Sequence, residues 1–237
     1  MSADVFLGTP VRGWTPPPVP AGEPLTGRYA RLVKLSADAH APELFAASKG
    51  YDHVWDYLPY GPFATLSAYR AWIEDTVAVP GHLFYAIQNL ETAAWEGVAS
   101  FLRIDPKNGS IEVGHINYSP ALQKTRAGTE AMFLMMKWAF EHGYRRYEWK
   151  CNALNLASRR AAQRLGFSHE GVFRQAGVIK GRNRDTAWFA AIDSEWPALR
   201  DAFTAWLSPD NFAKGLQKRK LGELTGPIRV ANDPALS

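Results

Sequence analysis

The chain has 237 residues, 46% of them apolar and 21% charged, enough to bury a full core as one domain with extensions. No apolar run approaches the roughly 20 residues that span a bilayer, and Met1 to Trp14 lack the basic stretch and apolar core of a secretory signal. The net charge of +4 is too small to name a nucleic-acid partner, and the single cysteine, Cys151, excludes an internal disulfide; a cytoplasmic, membrane-free protein is expected.

Residues 1–26 carry Pro10, Pro16, Pro17, Pro18, Pro20 and Pro24, a density that excludes regular helix and reads as an extended arm. From Arg28 to Leu35 polar and apolar residues alternate, which predicts a first strand. Asp38 is placed to cap a helix running to Lys49, and Gly50 stops it. The aromatic stretch Tyr51 to Phe63, broken by Pro59, Gly61 and Pro62, is expected as a loop with a short helical turn. A second helix is predicted over 66–79, with Leu66, Tyr69, Ile73 and Val77 at helical spacing, ended by Pro80 and Gly81.

Three strands follow, over 83–88, 97–104 and 111–118, the last two joined by the turn Asp105-Pro106-Lys107-Asn108-Gly109. Then come a helix over 129–142, a strand over 146–151, a helix over 156–165, strands over 169–175 and 186–192, and a helix over 196–207. Residues 208–237 are expected as a polar tail, in which Gln217-Lys218-Arg219-Lys220 forms a solvated basic run. The interleaving predicts one mixed α/β sheet with covering helices, with residues 27–207 as its single domain.

The stretch from Glu112 to Ala131 carries the chemistry. A strand leads there through a short loop into a helix, whose free N–H groups and dipole make a ready anion site. A pyrophosphate fits against residues 124–129, where Lys124 and Arg126 add charge and Gly128 permits close backbone approach. The histidines and lone cysteine show no metal-ligand spacing, so no metal is expected, and Cys151 reads as a small core residue.

This loop resembles the acyl-CoA pyrophosphate loop of the GCN5-related N-acetyltransferase (GNAT) superfamily, Gln/Arg-x-x-Gly-x-Gly/Ala. It runs here Gln123-Lys124-Thr125-Arg126-Ala127-Gly128, with Arg126 where the family has its first glycine. The strand at Trp149, then Asn155, Ser158 and the helix ending in Leu165-Gly166-Phe167, is similar to the second signature of the RimJ/RimL branch. Glu170-Gly171, Phe173-Arg174 and Asp185 follow that pattern, and Trp55-Asp56-Tyr57-Leu58-Pro59 with Gly61-Pro62-Phe63 precede it. The resemblance spans about residues 26–197.

It implies a GNAT fold of the α+β kind: a single mixed, mostly antiparallel sheet with helices on both faces and central strands splayed to hold acyl-CoA. It also implies an N-acetyltransferase that moves an acetyl group from acetyl-CoA directly to a primary amine, either a small molecule or a protein N-terminus, with room for a homodimer. Ile116, Asn117 and Tyr118 would contact the pantetheine. Gln123, Lys124, Thr125, Arg126, Ala127, Gly128 and Thr129 would hold the pyrophosphate, and Asn155 and Arg160 the rest of the cofactor. A right-handed backbone is expected at Arg126, with its guanidinium near the phosphates.

Glu112 lies eleven residues before Gln123, the spacing at which some members carry a general base that takes the ammonium proton through water. His115 is expected on the opposite strand face unless a bulge intervenes. Ala162 stands where many members place a tyrosine that protonates the thiolate, which leaves Ser158 as the substitute acid. Asp52, Trp55 and Tyr57, with neighbouring aromatics, are expected to wall the acceptor pocket. Two other readings stay open: a non-catalytic acyl-CoA-binding module, and a ribosome- or RNA-associated protein that uses the basic run.

Overall fold

Strands that alternate apolar residues on both faces need cover on both sides, and the chain provides it. The computed structural model describes residues 8–236; the first seven residues of the expected arm and Ser237 lie outside the described residues. The strands are β1 (Leu25–Thr26), β2 (Ala30–Lys34), β3 (Leu83–Asn89), β4 (Trp95–Asp105), β5 (Ser110–Tyr118), β6 (Arg146–Asn152), β7 (Ser168–Ile179) and β8 (Arg182–Ile192). They form one sheet in the order β1-β2-β3-β4-β5-β6-β8-β7, antiparallel throughout except for the parallel pair β5–β6.

On β3, Leu83, Tyr85 and Ile87 join a core with α3 (Arg126–Glu141), α4 (Leu156–Arg164) and α5 (Trp196–Leu207). The alternate residues Phe84 and Ala86 join a second core beneath α1 (Ala37–Ser48) and α2 (Leu66–Val77), centred on Trp55, Tyr69 and Trp72. Helices therefore lie on both faces. Among the described residues no helix is long and apolar enough to cross a membrane.

Several boundaries differ from the periodicity for local reasons. Ser36, not Asp38, caps α1 by accepting the N–H of Ala39, while Asp38 is exposed and pairs with Arg70. α3 begins three residues early because Thr125 caps it, its Oγ1 accepting Gly128 N–H at 2.9 Å. β7 and β8 run on past the expected ends to a two-residue turn at Lys180-Gly181, both at positive φ, as a tight hairpin requires. None of their extra residues is buried, so no apolar alternation announced them.

The termini are held down by long-range bonds. Glu130 on α3 is 5% exposed, and its carboxylate accepts the N–H groups of Arg28, Tyr29 and Ala30, fixing the start of β2. Tyr144 donates to the carbonyl of Pro18 at 3.0 Å and anchors the arm. The segment after Leu207 is polar but does not trail into solvent. It forms the small hairpin β9 (Phe212–Ala213) and β10 (Leu216–Gln217), then α6 (Leu221–Thr225), whose Leu221 is fully buried. Asp233 receives a two-pronged bond from Arg159 at 2.5 and 2.6 Å, with both side chains out of solvent. The run Gln217 to Lys220 remains exposed on this packed segment.

Burial alone would raise the Asp233 carboxyl, but the bonds from Arg159 and Ala235 outweigh it and hold it below the usual range. Asp233→Asn leaves the buried guanidinium of Arg159 uncompensated, so stability should fall by roughly 3–5 kcal/mol. Because the folded value is depressed, the pair stabilises above about pH 4 and fades as the pH drops through the folded value. Urea midpoints of the two proteins at neutral pH check the loss; equal midpoints would assign the tail's anchorage elsewhere.

Candidate active site

β5 and β6 share only four registers, from Ser110↔Arg146 to Val113↔Trp149. β5 then continues to Tyr118 and β6 to Asn152 without further pairing, so Ile116, Asn117 and Tyr118 border an open wedge. A bulge in β5 adjoins the opening. Its register against β4 jumps from Ser100↔Gly114 to Val98↔Asn117, which inserts one extra residue. His115 sits there at φ 51°, uncommon for a residue with a side chain.

The bulge reverses the expectation for His115. Instead of facing away from Glu112, its ring stacks on Tyr60 and touches Phe84, on the α1/α2 side of the sheet that Glu112 also faces. Tyr60 OH and His115 Nδ1 are 2.9 Å apart. Burial pushes the Tyr60 phenol far up, so it stays protonated, and the direction of this hydrogen bond follows the imidazole tautomer. Burial, then the nearby His82, Arg103 and Arg184, lower His115 to about 4. The ring is neutral at physiological pH.

Glu112 is 3% exposed, and its Oε2 accepts from Arg103 at 2.7 Å and Lys150 at 2.9 Å. A second bulge, in β4 between Leu102 and Asp105, places Arg103 at φ 45° and turns it onto this carboxylate. Lys150 also binds Glu148 at 2.7 Å and lies 3.6 Å from the centre of the Trp188 ring. Glu148 and Glu170 share Arg146. The floor beside the wedge is therefore a chain of ion pairs, shielded from solvent at Glu112, Lys150 and Glu148 and open to it at Arg103 and Glu170. Tyr60 is one of the aromatics expected near the acceptor, but Arg103, Lys150, His82 and Arg184 escaped the sequence reading, although the alternation of Arg146, Glu148 and Lys150 with Tyr147, Trp149 and Cys151 marks a charged face opposite an apolar one.

At the wide end of the wedge lies the loop from Ser119 to Thr125. Its turns use the N–H groups of Leu122, Gln123 and Thr125, and Thr125 takes those of Gly128 and Thr129. Among the described residues nothing binds the N–H of Lys124, Arg126 or Ala127, so three donors at the α3 N-terminus remain for an anion. The set is narrower than the expected span 124–129. Gly128 serves packing: a Cβ there would lie 2.7 Å from the Leu122 carbonyl and 3.0 Å from the Tyr118 ring. Gln123 donates its amide to the Tyr118 carbonyl at 3.0 Å, and Tyr118 OH donates to Gly128 O at 2.8 Å, bracing loop, strand and helix together.

Arg126 opens α3 with a right-handed backbone, while Lys124 takes the positive φ of 61°. The Arg126 guanidinium is turned away from the expected phosphate position. It pairs with Glu91 and lies over the rings of Tyr29 and Phe212 at 4.6 and 4.9 Å, where ion pairing and the ring faces hold it.

Around α4, Asn155 is the cap: its Oδ1 accepts Ser158 N–H at 3.0 Å. Ser158 Oγ accepts the indole N–H of Trp149 at 3.0 Å and also bonds Cys151, whose thiol burial pushes up. Arg160 is exposed, whereas Arg159 is committed to Asp233. Ala162 is fully buried. The acceptor-wall residues separate. Trp55 is 2% exposed at the centre of the second core, and with Asp52 it borders a different depression of about 260 Å³ between α1 and Phe63. Tyr57 does reach the wedge, donating to Leu154 O at 3.2 Å. With Asn117 Nδ2 bonded to Val54 O and Lys180 Nζ to Trp55 O, it ties the 52–57 segment across the diverging strands. No group of three or more metal ligands occurs among the described residues.

Comparison with known proteins shows the family of this fold. Residues 30–168 match the acetyltransferase (GNAT) domain, so the chain belongs to that family and is an acyltransferase enzyme. A GCN5-related N-acetyltransferase from Brucella melitensis is 45% identical, with a TM-score of 0.89 over 91% of this chain and 100% of its own. A probable acetyltransferase of the GNAT family from Chromobacterium violaceum ATCC 12472 is 41% identical, with a TM-score of 0.77 over 83% and 100%. The Salmonella typhimurium enzyme that modifies the N-terminal serine of ribosomal protein L7/L12 shares the fold at 22% identity, with a TM-score of 0.60 over 72% and 99%. Among curated proteins, none matches.

The lowered His115 value has a pH signature. An unfolded chain takes up a proton at this residue near pH 6.5, but the folded chain only near 4. Folding stability should therefore fall as the pH drops from about 6.5 towards 4 and stay level above, as far as this residue contributes. His115→Phe should flatten that part of the profile, read from urea midpoints at several pH values. An unchanged slope would contradict a half-buried, neutral His115.

Proposed function

We propose that the chain is an acetyl-CoA-dependent N-acetyltransferase of the RimJ/RimL-like kind, which transfers acetyl directly to the primary amine of a small molecule or a protein N-terminus. The observation that carries this reading is the wedge itself. An unpaired strand edge ends at three free N–H donors, which suits a ligand with an amide-bearing arm and a pyrophosphate. Acetyl-CoA supplies a thioester whose C–S bond breaks as the amine nitrogen bonds the acetyl carbon. The residues beside the bulge have to manage two protons, one leaving the amine and one reaching the thiolate.

In this reading Nδ1 of His115 accepts from Tyr60, which makes the ring a donor at Nε2. It is not the base. Glu112 keeps Oε1 free while Oε2 holds Arg103 and Lys150, so it takes the amine proton through water at Oε1. Ser158 is the thiolate's proton source: Trp149 occupies an acceptor site on its oxygen, and the O–H turns from the Cys151 sulfur to the leaving thiolate. The cations beside Glu112 and the neutral His115 also disfavour a second positive charge, which favours the free amine.

Glu112→Gln keeps the shape and removes the proton acceptor. Turnover should fall about a hundredfold near neutral pH, the low end of what a positioned base contributes. Acetyl-CoA affinity should stay within about twofold, since the loop donors are untouched. The loss should shrink above roughly pH 9, where many acceptors are already free amines. Thiol release measured across pH checks this; the same rate for both proteins at every pH would make Glu112 a purely structural ion-pair partner.

A further inference from the structure

Arg184 lies at the start of β8, in register with Gly177, and alternation places it on the Lys150 and Trp188 face. Its guanidinium is close enough to Glu112, Arg103 and His115 to act on each electrostatically, which sets it across the mouth of the wedge from the β5 bulge. The four cations of this floor do not fare equally. Arg103 and Lys150 share Glu112, Lys150 also holds Glu148, and Arg146 holds Glu148 and Glu170.

Among the described residues no carboxylate pairs with Arg184, and its buried Nε has no hydrogen-bond partner. The adjacent Asp185 lies on the opposite face of β8, where its Oδ1 takes Gln175 N–H at 2.7 Å and Asn183 at 3.0 Å. The residue is half-buried, and an Nε–H shut off from water with no partner is costly unless an anion completes it. The wedge's cofactor end is elsewhere, at the α3 N-terminus. The anion at Arg184 therefore belongs to the other substrate.

We propose that the acceptor is a primary amine carrying an anionic group, a carboxylate or a phosphate, within a few bonds of its reacting nitrogen, and that Arg184 binds this group. The proposal rests on the N-acetyltransferase reading. A planar fork of donors suits either oxyanion, and it fixes the amine beside His115. A small amino acid or aminoalkyl phosphate meets the requirement, and so does a peptide whose second residue is acidic. A polyamine does not.

Thiol release from acetyl-CoA tests it with matched pairs: O-phosphoethanolamine against ethanolamine, an amino acid against its amide, and a peptide with Asp against one with Asn at the second position. The pair that responds distinguishes phosphate, free carboxylate and protein side chain. In the wild-type protein at least one anionic member should have a kcat/KM about ten- to a hundredfold above its neutral partner, the range of a charged hydrogen bond. Arg184→Gln should bring that ratio to within about threefold, and Arg184→Lys should restore part of it. The thermal shift produced by acetyl-CoA should persist in both variants, which shows that they fold. Neutral amines or polyamines turned over as well as the anionic members, or a ratio that Arg184→Gln leaves intact, would overturn the acceptor assignment alone. Binding of acetyl-CoA without thiol release to any of these amines would overturn the N-acetyltransferase reading and this proposal with it.

Discussion

The parting of β5 from β6 after Val113↔Trp149 is the constraint on which the rest depends. Strands that stayed paired would satisfy each other's backbone groups and leave no edge for a ligand. The separation has a local cause and a cost. One extra residue in β5 bends the strand and puts His115 into the left-handed region. The surrounding aromatic contacts with Tyr60, Phe84 and His82 hold that residue in place.

Electrostatics follows from the same geometry. Two bulges on facing strands, at Arg103 and His115, bring side chains onto one face that regular alternation would have sent to the other. The result concentrates charge where it is expensive: Lys150 and Glu112 are both nearly inaccessible and survive only as shared pairs. Neighbouring residues on the opposite faces of these strands, Val113, Trp149 and Ile111, are ordinary core. The site thus costs stability on one face that the other face provides through buried aromatic and aliphatic area.

Much of this architecture was legible in the sequence, because strong periodicity and turn chemistry are local. Helix 196–207 and the strand–loop–helix unit around Gln123 to Gly128 stand as the pattern predicts. What escaped depends on distant partners. Nothing near Asp233 announces Arg159, and nothing near Arg126 announces Glu91 or Phe212. Trp55, Asp52 and Tyr57 looked alike as candidates lining one pocket, yet Trp55 fills a core and borders a separate depression with Asp52, while Tyr57 alone bonds across the wedge. The bulges were equally hidden, since an inserted residue in one strand shows only against the register of its neighbour.

The central claim is that the unpaired N–H groups of Lys124, Arg126 and Ala127 receive the cofactor's pyrophosphate at the open end of the wedge. Amide hydrogen exchange, followed at single residues with and without acetyl-CoA, tests it most directly. The account predicts that these three amides slow by about tenfold or more when acetyl-CoA is saturating, as expected for donors newly engaged by an anion. The N–H groups of Gly128 and Thr129, already bonded to Thr125, should change far less. Protection elsewhere on the protein with no change at these three amides would contradict the account.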